Sequence, residues 1–257
     1  METPTGTTAI VRGVPSTFHL AIRPDGSAQA IDVRLAETQH EAYCRALSST
    51  GLELIRIDAD DRYPDCCYVE DTAIVVGDKA FIAPMAAESR RGESDAVGAK
   101  LREFKHVHHL AAPAMLDGGD VLQVGRRVFV GLSQRTNRHA ADQLRIALHQ
   151  EGYEVMPVNV RGILHLKSAC TYLGGDTVVM LADHLDEQPF ASLQKIQVAP
   201  EEAHAANCLA LNCVVLVPTG APQTRARIRE RGFETVEIDI SESKKAAGGL
   251  TCCSIVF

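Results

Sequence analysis

The chain has 257 residues, of which 46% are hydrophobic and 23% charged, which is enough for one sizeable core or two tightly joined ones. The formal net charge of -7 argues against binding to nucleic acid or to an anionic membrane surface. No run of the sequence approaches the roughly 18 apolar residues that are needed to span a bilayer.

Short apolar runs recur along the chain, and each begins just after a small or polar residue. In TAIVVGDKAFIAP the pair Gly77-Asp78 separates two β-rich stretches, and in DVLQVGRRVFVGL the pair Gly125-Arg126 does the same. Each of these patterns predicts a β-hairpin. The runs begin at Thr7, Asp71, Asp120, Asp176, Asn207 and Leu250.

A second unit alternates with the hairpins and consists of an amphipathic helix, a glycine and a buried strand. Copies of it start at Glu41, Ala140 and Thr224. A glycine stands in each copy where a helix C-cap would need a positive φ, at Gly51, Gly152 and Gly232. GESDAVGAKLREFKHVHHL is a weaker copy. We interpret its residues His106, His108 and His109 as the exposed face and the end of the helix.

Hairpin, helix and strand therefore repeat at intervals of about fifty residues, which allows about five copies. Simple βαβ units would give a doubly wound parallel sheet. Hairpins between the helix–strand units instead favour α/β modules packed around an axis. The first strands would converge near that axis, so residues at their mouths would face a common cavity.

The cysteines indicate a reducing compartment. We recognise no secretory signal near the start of the chain and no C-x-x-C or zinc-finger spacing, so we expect a cytoplasmic protein with free thiols. Most of these thiols are interpreted as small core residues. The cysteines are Cys44, Cys66, Cys67, Cys170, Cys208, Cys213, Cys252 and Cys253.

Carboxylates cluster at two predicted strand mouths. Asp65, Glu70 and Asp71 flank the run AIVV, and three acids together call for a bound cation or a shared proton. Asp117 and Asp120 bracket a Gly-Gly pair that permits a tight turn or the close approach of another group. Ordinary solvated turns remain the alternative at both places.

An imidazole and a thiol could supply the chemistry. His165 lies in the apolar run ILHLKSAC and is either a core histidine or a proton-transfer group. Cys252 follows Gly248-Gly249 and is either a core thiol or a nucleophile, with Cys253 facing elsewhere. Arg90, Arg91 and Arg135 follow the two hairpins, where they are either surface charges or ligands for a carboxylate.

Seven motifs occur in order over nearly the whole chain: PDCCYVEDTAIV, ESRRGE, LDGGDVL, VGLSQRTN, LHLKSAC, AANCLALN and GGLTCCS. Together they resemble the dimethylarginine dimethylaminohydrolases of the guanidino-modifying, or pentein, superfamily. The resemblance implies one catalytic domain over residues 1–257, folded as a five-bladed, pseudo-symmetric α/β propeller of ββαβ modules.

The resemblance also implies roles for individual residues. Cys252 would be the nucleophile, His165 the general acid and base, and Asp117 the carboxylate that orients His165. Asp65, Glu70 and Asp71 would bind the substrate guanidinium, and Arg90 and Arg135 would bind its α-carboxylate. The backbone carbonyl of Ala246 would bind the α-amino group, and Phe18 would lie on the flap.

The implied reaction converts asymmetric dimethylarginine or monomethylarginine to L-citrulline through a covalent S-alkylthiouronium, with no metal or organic cofactor. Two departures from the family pattern stand out: some relatives carry Glu where Asp117 stands, and an Asp often stands at the position of Ala247.

Several alternatives remain open. The same residues could serve an arginine deiminase or another guanidine or ureide hydrolase, and Cys252 could be a redox-sensing or zinc-binding thiol, with zinc acting as an inhibitor. The partner would be a small molecule, the protein a monomer or a homodimer, and the product could serve nitrogen scavenging or control of nitric oxide synthesis.

Overall fold

The computed structural model describes residues 3–23 and 29–257. In this part of the chain, fifteen strands form five sheets of three strands each. The strands are β1 (Thr8–Arg12), β2 (Glu53–Ile57), β3 (Ala73–Val76), β4 (Lys79–Ile82), β5 (His106–His109), β6 (Val121–Val124), β7 (Arg127–Leu132), β8 (Glu154–Asn159), β9 (Cys170–Gly174), β10 (Thr177–Met180), β11 (Gln194–Gln197), β12 (Leu209–Leu211), β13 (Val214–Pro218), β14 (Glu234–Ile238) and β15 (Ile255–Val256).

Five α-helices accompany these strands in the described residues. They are α1 (Val33–Ser49), α2 (Ser94–Leu101), α3 (Arg138–His149), α4 (Pro222–Glu230) and α5 (Ser241–Lys244). Side-chain caps begin two of them, since the Asp32 carboxylate accepts from Leu35 N at 3.1 Å and the Asn137 side chain accepts from Ala140 N at 3.1 Å. None of these helices combines the length and the apolarity that crossing a bilayer requires.

The predicted ββαβ plan is confirmed, except that one of the five modules lacks its α-helix. In every sheet the first strand runs antiparallel to the second, and the second runs parallel to the third, as in β3-β4-β5 and β6-β7-β8. The remaining sheets are β9-β10-β11, β12-β13-β14 and β15-β1-β2. Gly77-Asp78 and Gly125-Arg126 join the two hairpins as expected.

The last strand of the chain completes the first module. Ile255 lies opposite Ile10 and Val256 opposite Ala9 in the β15–β1 pair. Phe257 N then donates to Thr8 O at 2.9 Å, so backbone pairing continues to the end of the chain. Ile255 is buried, and the tail is therefore part of the core as well as the carrier of Cys252.

Apolar side chains between neighbouring elements form the core. Leu144 and Leu148 of α3 are fully buried against Val128 and Val130 of β7. Each buried side chain of this size contributes about 1.5–3 kcal/mol relative to its exposed state. The helix is tied to the strand that follows by Gly152, whose φ of +75° permits the turn between α3 and β8.

Three local interpretations are corrected. His106, His108 and His109 lie in strand β5 and not on a helix, because α2 ends at Leu101 and β5 pairs with β4. The fourth module has the 3₁₀ turn Gln188–Phe190 between β10 and β11 in place of an α-helix. The run LTCCSIVF is not one strand, since Thr251–Cys253 forms a 3₁₀ turn and only Ile255–Val256 is extended.

Candidate active site

A short 3₁₀ turn stands at the mouth of the first strand of every module. Each of these turns packs against at least one other, so the strand mouths meet as the repeat predicts. The five turns are Val69–Thr72 before β3, Gly118–Asp120 before β6, Leu166–Ser168 before β9, Pro200–Ala206 before β12 and Thr251–Cys253 before β15. Each turn, or a residue directly beside it, includes a polar side chain or a thiol, namely Asp71, Asp117, His165, Asn207 and Cys252.

A cavity of about 160 Å³ lies against all five of these turns and brings the predicted thiol and imidazole together. Cys252 and His165 both line it, together with Glu70, Gly119 and Asn207. Positions 165 and 252 are far apart in sequence, so the module packing alone creates this juxtaposition. Cys253 lines a different, smaller cavity, as the sequence prediction requires.

Carboxylates surround the imidazole of His165. Its Nε2 lies 3.2 Å from Asp117 Oδ2, and its Nδ1 lies 3.9 Å from Asp71 Oδ1. Burial alone would lower the pKa of His165, but Asp71, Asp117 and Asp120 outweigh that effect and raise it to about 9. The ring is therefore an imidazolium at neutral pH and is ready to act as a general acid.

The Gly-Gly pair after Asp117 provides space for this ring. A Cβ added at Gly119 would come within 2.6 Å of His165 Nδ1 and 2.9 Å of Asp71 Oδ1. The backbone N–H of Gly119 donates to Asp71 Oδ1 at 3.1 Å. Gly118-Gly119 therefore permits the close approach of another group, the His165 ring, which was one of the two interpretations of this pair.

The thiol of Cys252 lies in a negative environment. Burial, followed by the charges of Glu70 and Asp71, raises its pKa well above the ordinary value. One contact acts in the other direction, because Gly249 N donates to the sulfur at 3.3 Å. The free site therefore holds a neutral thiol, and a bound cation would favour the thiolate.

Asp71 and Arg90 form a buried ion pair beside His165. Arg90 Nη1 donates to Asp71 Oδ2 at 2.7 Å, and the guanidinium also contacts Glu93 at 2.8 Å and the carbonyl of Tyr68 at 3.2 Å. Although burial would raise the pKa of Asp71, the charges of His165 and Arg90 lower it to about 2. Asp71 is therefore ionised throughout the physiological range.

Arg135 and Asp117 form a second ion pair. Arg135 Nη1 lies 3.3 Å from Asp117 Oδ2, the oxygen that also faces His165. Asp117 Oδ1 is buried and has no hydrogen-bond partner among the described residues. Within residues 3–23 and 29–257 the cavity lining includes neither Arg90 nor Arg135. Their assignment to a substrate α-carboxylate stays a prediction.

The predicted flap region contacts Asp65. The N–H of Ile22 donates to both Asp65 oxygens, at 3.1 and 3.3 Å. Burial raises the pKa of this carboxyl. Phe18 is buried with its ring edge-on to Tyr68 at a centroid distance of 5.8 Å. Residues 24–28, the continuation of this segment, lie outside the described part of the chain.

The α-amino ligand was predicted at Ala246, in the loop between α5 and the nucleophile turn. Ala246 is buried, and its N–H donates to Ser243 O at 3.0 Å. Ala247, where relatives often carry Asp, has a φ of +56° and lines the cavity with Gly248. The structure thus places the loop at the cavity, while the role of the Ala246 carbonyl stays a prediction.

Several residues of the site carried no usable sequence signal. Lys167 Nζ lies 2.5 Å from Glu70 Oε1, and Thr251 Oγ1 donates to Glu70 Oε2 at 2.7 Å. Asn207 contacts Thr251 in turn. These residues lie within the motifs LHLKSAC, AANCLALN and GGLTCCS, but their partners are remote in sequence, and no local pattern encodes a pairing of that kind.

A metal-ligand arrangement also exists at the site. Asp71, Asp117 and His165 place one ligand atom each within 4.8 Å of one another. Arg90 and Arg135 already balance the two carboxylates, and Cys252 does not belong to this group. An inhibitory zinc ion at Cys252 therefore stays a prediction.

The model of the family described as "N,N dimethylarginine dimethylhydrolase, eukaryotic" matches residues 22–256. The chain belongs to the dimethylarginine dimethylaminohydrolase family. It is 33% identical to the Pseudomonas aeruginosa enzyme of that name over 88% of this chain and 90% of the relative. The Streptomyces coelicolor enzyme is 37% identical over 88% of this chain and 88% of the relative.

A solved structure of the P. aeruginosa dimethylarginine dimethylaminohydrolase superposes with a TM-score of 0.95, covering 98% of this chain and 100% of that one at 30% identity. It is a Cys-to-Ser variant of that enzyme in complex with citrulline. The pentein architecture expected from the repeat and from the family resemblance is thereby confirmed.

Proposed function

We propose that this chain hydrolyses Nω-methylated L-arginine to L-citrulline and a methylamine. The observation that carries the proposal is the shared cavity of Cys252 and His165. The imidazole is held protonated by carboxylates, whereas the thiol is held neutral until a cation arrives. A guanidinium is such a cation, and its N–H groups suit Asp65, Glu70 and Asp71.

The first chemical step follows from these protonation states. The bound guanidinium favours loss of the Cys252 proton to solvent, and the thiolate attacks the central guanidino carbon to form a C–S bond. His165 transfers its proton to the methylated nitrogen, the C–N bond breaks and dimethylamine leaves. A cationic S-alkylthiouronium remains on Cys252.

The second step restores the enzyme. Neutral His165 takes a proton from water, and the hydroxide formed attacks the thiouronium carbon. The C–S bond breaks with the electron pair returning to sulfur, the new oxygen loses its proton to solvent, and L-citrulline is released. His165 is again an imidazolium, and Cys252 regains a proton from solvent.

The remaining roles belong to the same proposal. Asp117 would orient His165, Arg90 and Arg135 would contact the α-carboxylate, and the carbonyl of Ala246 would accept from the α-amino group. Phe18 would cover the substrate as part of the flap. For Arg90 this role requires exchanging bonds that it makes to Asp71 and Glu93 in the present structure.

The cellular setting is also a proposal. We propose a cytoplasmic enzyme acting as a single catalytic domain, as a monomer or a homodimer, on a small-molecule substrate. Eight free cysteines in the described residues support a reducing environment.

The test is release of citrulline and dimethylamine from asymmetric dimethylarginine by the wild type and by Cys252→Ser. We expect release by the wild type and none by the variant. Absence of citrulline from every N-methylated arginine tested would overturn the proposal. Ammonia release from unmethylated arginine at a higher kcat/KM would instead indicate a deiminase.

A further inference from the structure

Asn207 is the residue that the module β12-β13-β14 contributes to the ring of turns. The residues assigned to chemistry come from four modules, with Asp71, Asp117, His165 and Cys252 at or beside their turns. Asn207 directly follows the remaining turn, Pro200–Ala206, and lines the same cavity. Neither the proposed reaction nor the family motifs assign it a role.

The side chain of Asn207 joins the nucleophile segment to the imidazole segment. Its Oδ1 accepts from Thr251 N at 2.9 Å, and its Nδ2 donates to Thr251 Oγ1 at 3.0 Å. Nδ2 also donates to Lys167 O at 3.0 Å. Thr251 directly precedes Cys252, and Lys167 is two residues from His165. One side-chain amide therefore bonds both to the segment that carries Cys252 and to the segment that carries His165.

Asn207 also supports the loop that donates to the sulfur. A Cβ added at Gly249 would come within 2.4 Å of Asn207 Cγ, so the two residues are in close contact. The N–H of this same Gly249 donates to Cys252 Sγ at 3.3 Å. Because a hydrogen bond to sulfur favours the thiolate, the packing of Asn207 bears on the acidity of the thiol as well as on its position.

Neighbouring contacts hold Asn207 itself in place. Cys208 N donates to Thr171 Oγ1 at 3.2 Å, and Thr171 Oγ1 donates to Ala206 O at 2.8 Å. Asn207 is 6% exposed. An amide with these partners can reorient only by leaving buried donors and acceptors unsatisfied.

We infer that Asn207 is a positioning residue that sets the placement of Cys252 relative to His165. This inference rests on the proposed function for its kinetic readout, but its second readout needs no substrate. Misplacement of reacting groups by about 1 Å costs on the order of 100-fold in rate. The effect should therefore fall on kcat much more than on KM.

The control is Asn212, which lies away from the cavity and, like Asn207, accepts one hydrogen bond through Oδ1 and donates two through Nδ2. Its Oδ1 accepts from Gly6 N at 3.1 Å, and its Nδ2 donates to Gly6 O at 3.0 Å and Thr50 O at 3.1 Å. Asn207→Ala and Asn212→Ala each remove three side-chain hydrogen bonds, and only the first removes contacts to the reacting segments. Asn212 has a φ of +47°, so its replacement by Ala also adds backbone strain. Asn207→Asp provides a second variant that retains an acceptor for Thr251 N.

The first measurement is steady-state kinetics on asymmetric dimethylarginine together with thermal stability. For Asn207→Ala we expect kcat to fall about 100-fold and KM to change less than about threefold. Asn207→Asp should lose at least about tenfold in kcat, while Asn212→Ala stays within about threefold of the wild type. A loss of kcat that follows thermal stability equally at both positions would overturn the inference.

The second measurement is alkylation of Cys252 by iodoacetamide against pH, followed by mass spectrometry of the C-terminal peptide with Cys252→Ser as the blank. In Asn207→Ala the apparent pKa should rise by at least about 0.5, because the Gly249 donor is no longer held in place. Asn212→Ala should match the wild type. An unchanged profile in Asn207→Ala overturns the inference, even if the wild type proves to make no citrulline.

Discussion

Replacing Asp117 by Asn tests the electrostatic basis of the site most directly. The substitution keeps the size of the side chain and an oxygen able to accept a hydrogen bond, but it removes the charge that lies 3.2 Å from His165 Nε2. Carboxylates move the pKa of His165 from 6.5 to about 9 against the effect of burial. This change corresponds to about 3 kcal/mol in favour of the imidazolium.

Three carboxylates share that stabilisation, and Asp117 supplies both a charge and a hydrogen bond. Its loss should lower the pKa of His165 by at least about one, or roughly 1.4 kcal/mol. At pH 8 the wild-type ring is about 90% protonated, whereas a ring with a pKa of about 8 is about half protonated. The smaller population of imidazolium alone then lowers kcat about twofold at pH 8.

The assay is an NMR titration of the His165 ring, assigned by its absence in His165→Gln, alongside kcat measured from pH 6 to 10. Asp142→Asn is the control, because Asp142 is a partly exposed partner of Arg145. An unchanged His165 titration in Asp117→Asn would refute the reasoning. So would the same shift in Asp142→Asn.

The same shift predicts how stability depends on pH. The folded pKa of His165 lies above the unfolded value, so its stabilisation is complete below pH 6.5 and is lost as pH rises through about 9. Asp117→Asn should therefore show a smaller loss of unfolding free energy over this range than the wild type. Urea denaturation at several pH values measures the difference.

Three further substitutions test other contacts of the site. Gly119→Ala should lower kcat at least about 100-fold, since its Cβ would come within 2.6 Å of His165 Nδ1; a variant with wild-type kcat would contradict the assigned geometry. Lys167→Met leaves the buried Glu70 carboxylate without its ion-pair partner and should cost about 3–5 kcal/mol in urea unfolding, and adding Glu70→Gln should restore most of that loss. Ile255→Ala should cost about 2–4 kcal/mol if β15 is part of the core, and an unchanged melting temperature would show that the tail is dispensable.

The alternation of hairpins and helices could be predicted from sequence because its signals are local. Gly77-Asp78 and Gly125-Arg126 join strands as the turn chemistry requires, and the glycine after α3 has the expected positive φ. The interval of the repeat indicated about five modules around an axis, and the family resemblance implied the same five-bladed architecture. The spacing of helix, glycine and strand does not by itself predict which sheet the C-terminal strand joins.

Short elements account for the incorrect interpretations. A 3₁₀ turn of three or four residues has too few positions to establish a period, so Cys252 was placed in the run of a strand. His106, His108 and His109 follow a genuine helix after only a few residues, and an exposed strand with alternating polar side chains resembles the last turn of that helix. Pairing with β4 decides the matter, and that pairing is not local.

The arrangement of the site also explains why its chemistry is distributed so widely along the chain. Each module supplies one turn at its strand mouth, and no single module carries both a nucleophile and a base. Asp71 and Cys252 interact only because β15 returns to pair with β1 and thereby places the last turn beside Val69–Thr72. Closure of the fold and the approach of Cys252 to His165 are therefore the same structural event. A variant that loses the β15–β1 pairing should lose the reactivity of Cys252 together with its stability, whereas a variant at Asn207 should separate the two.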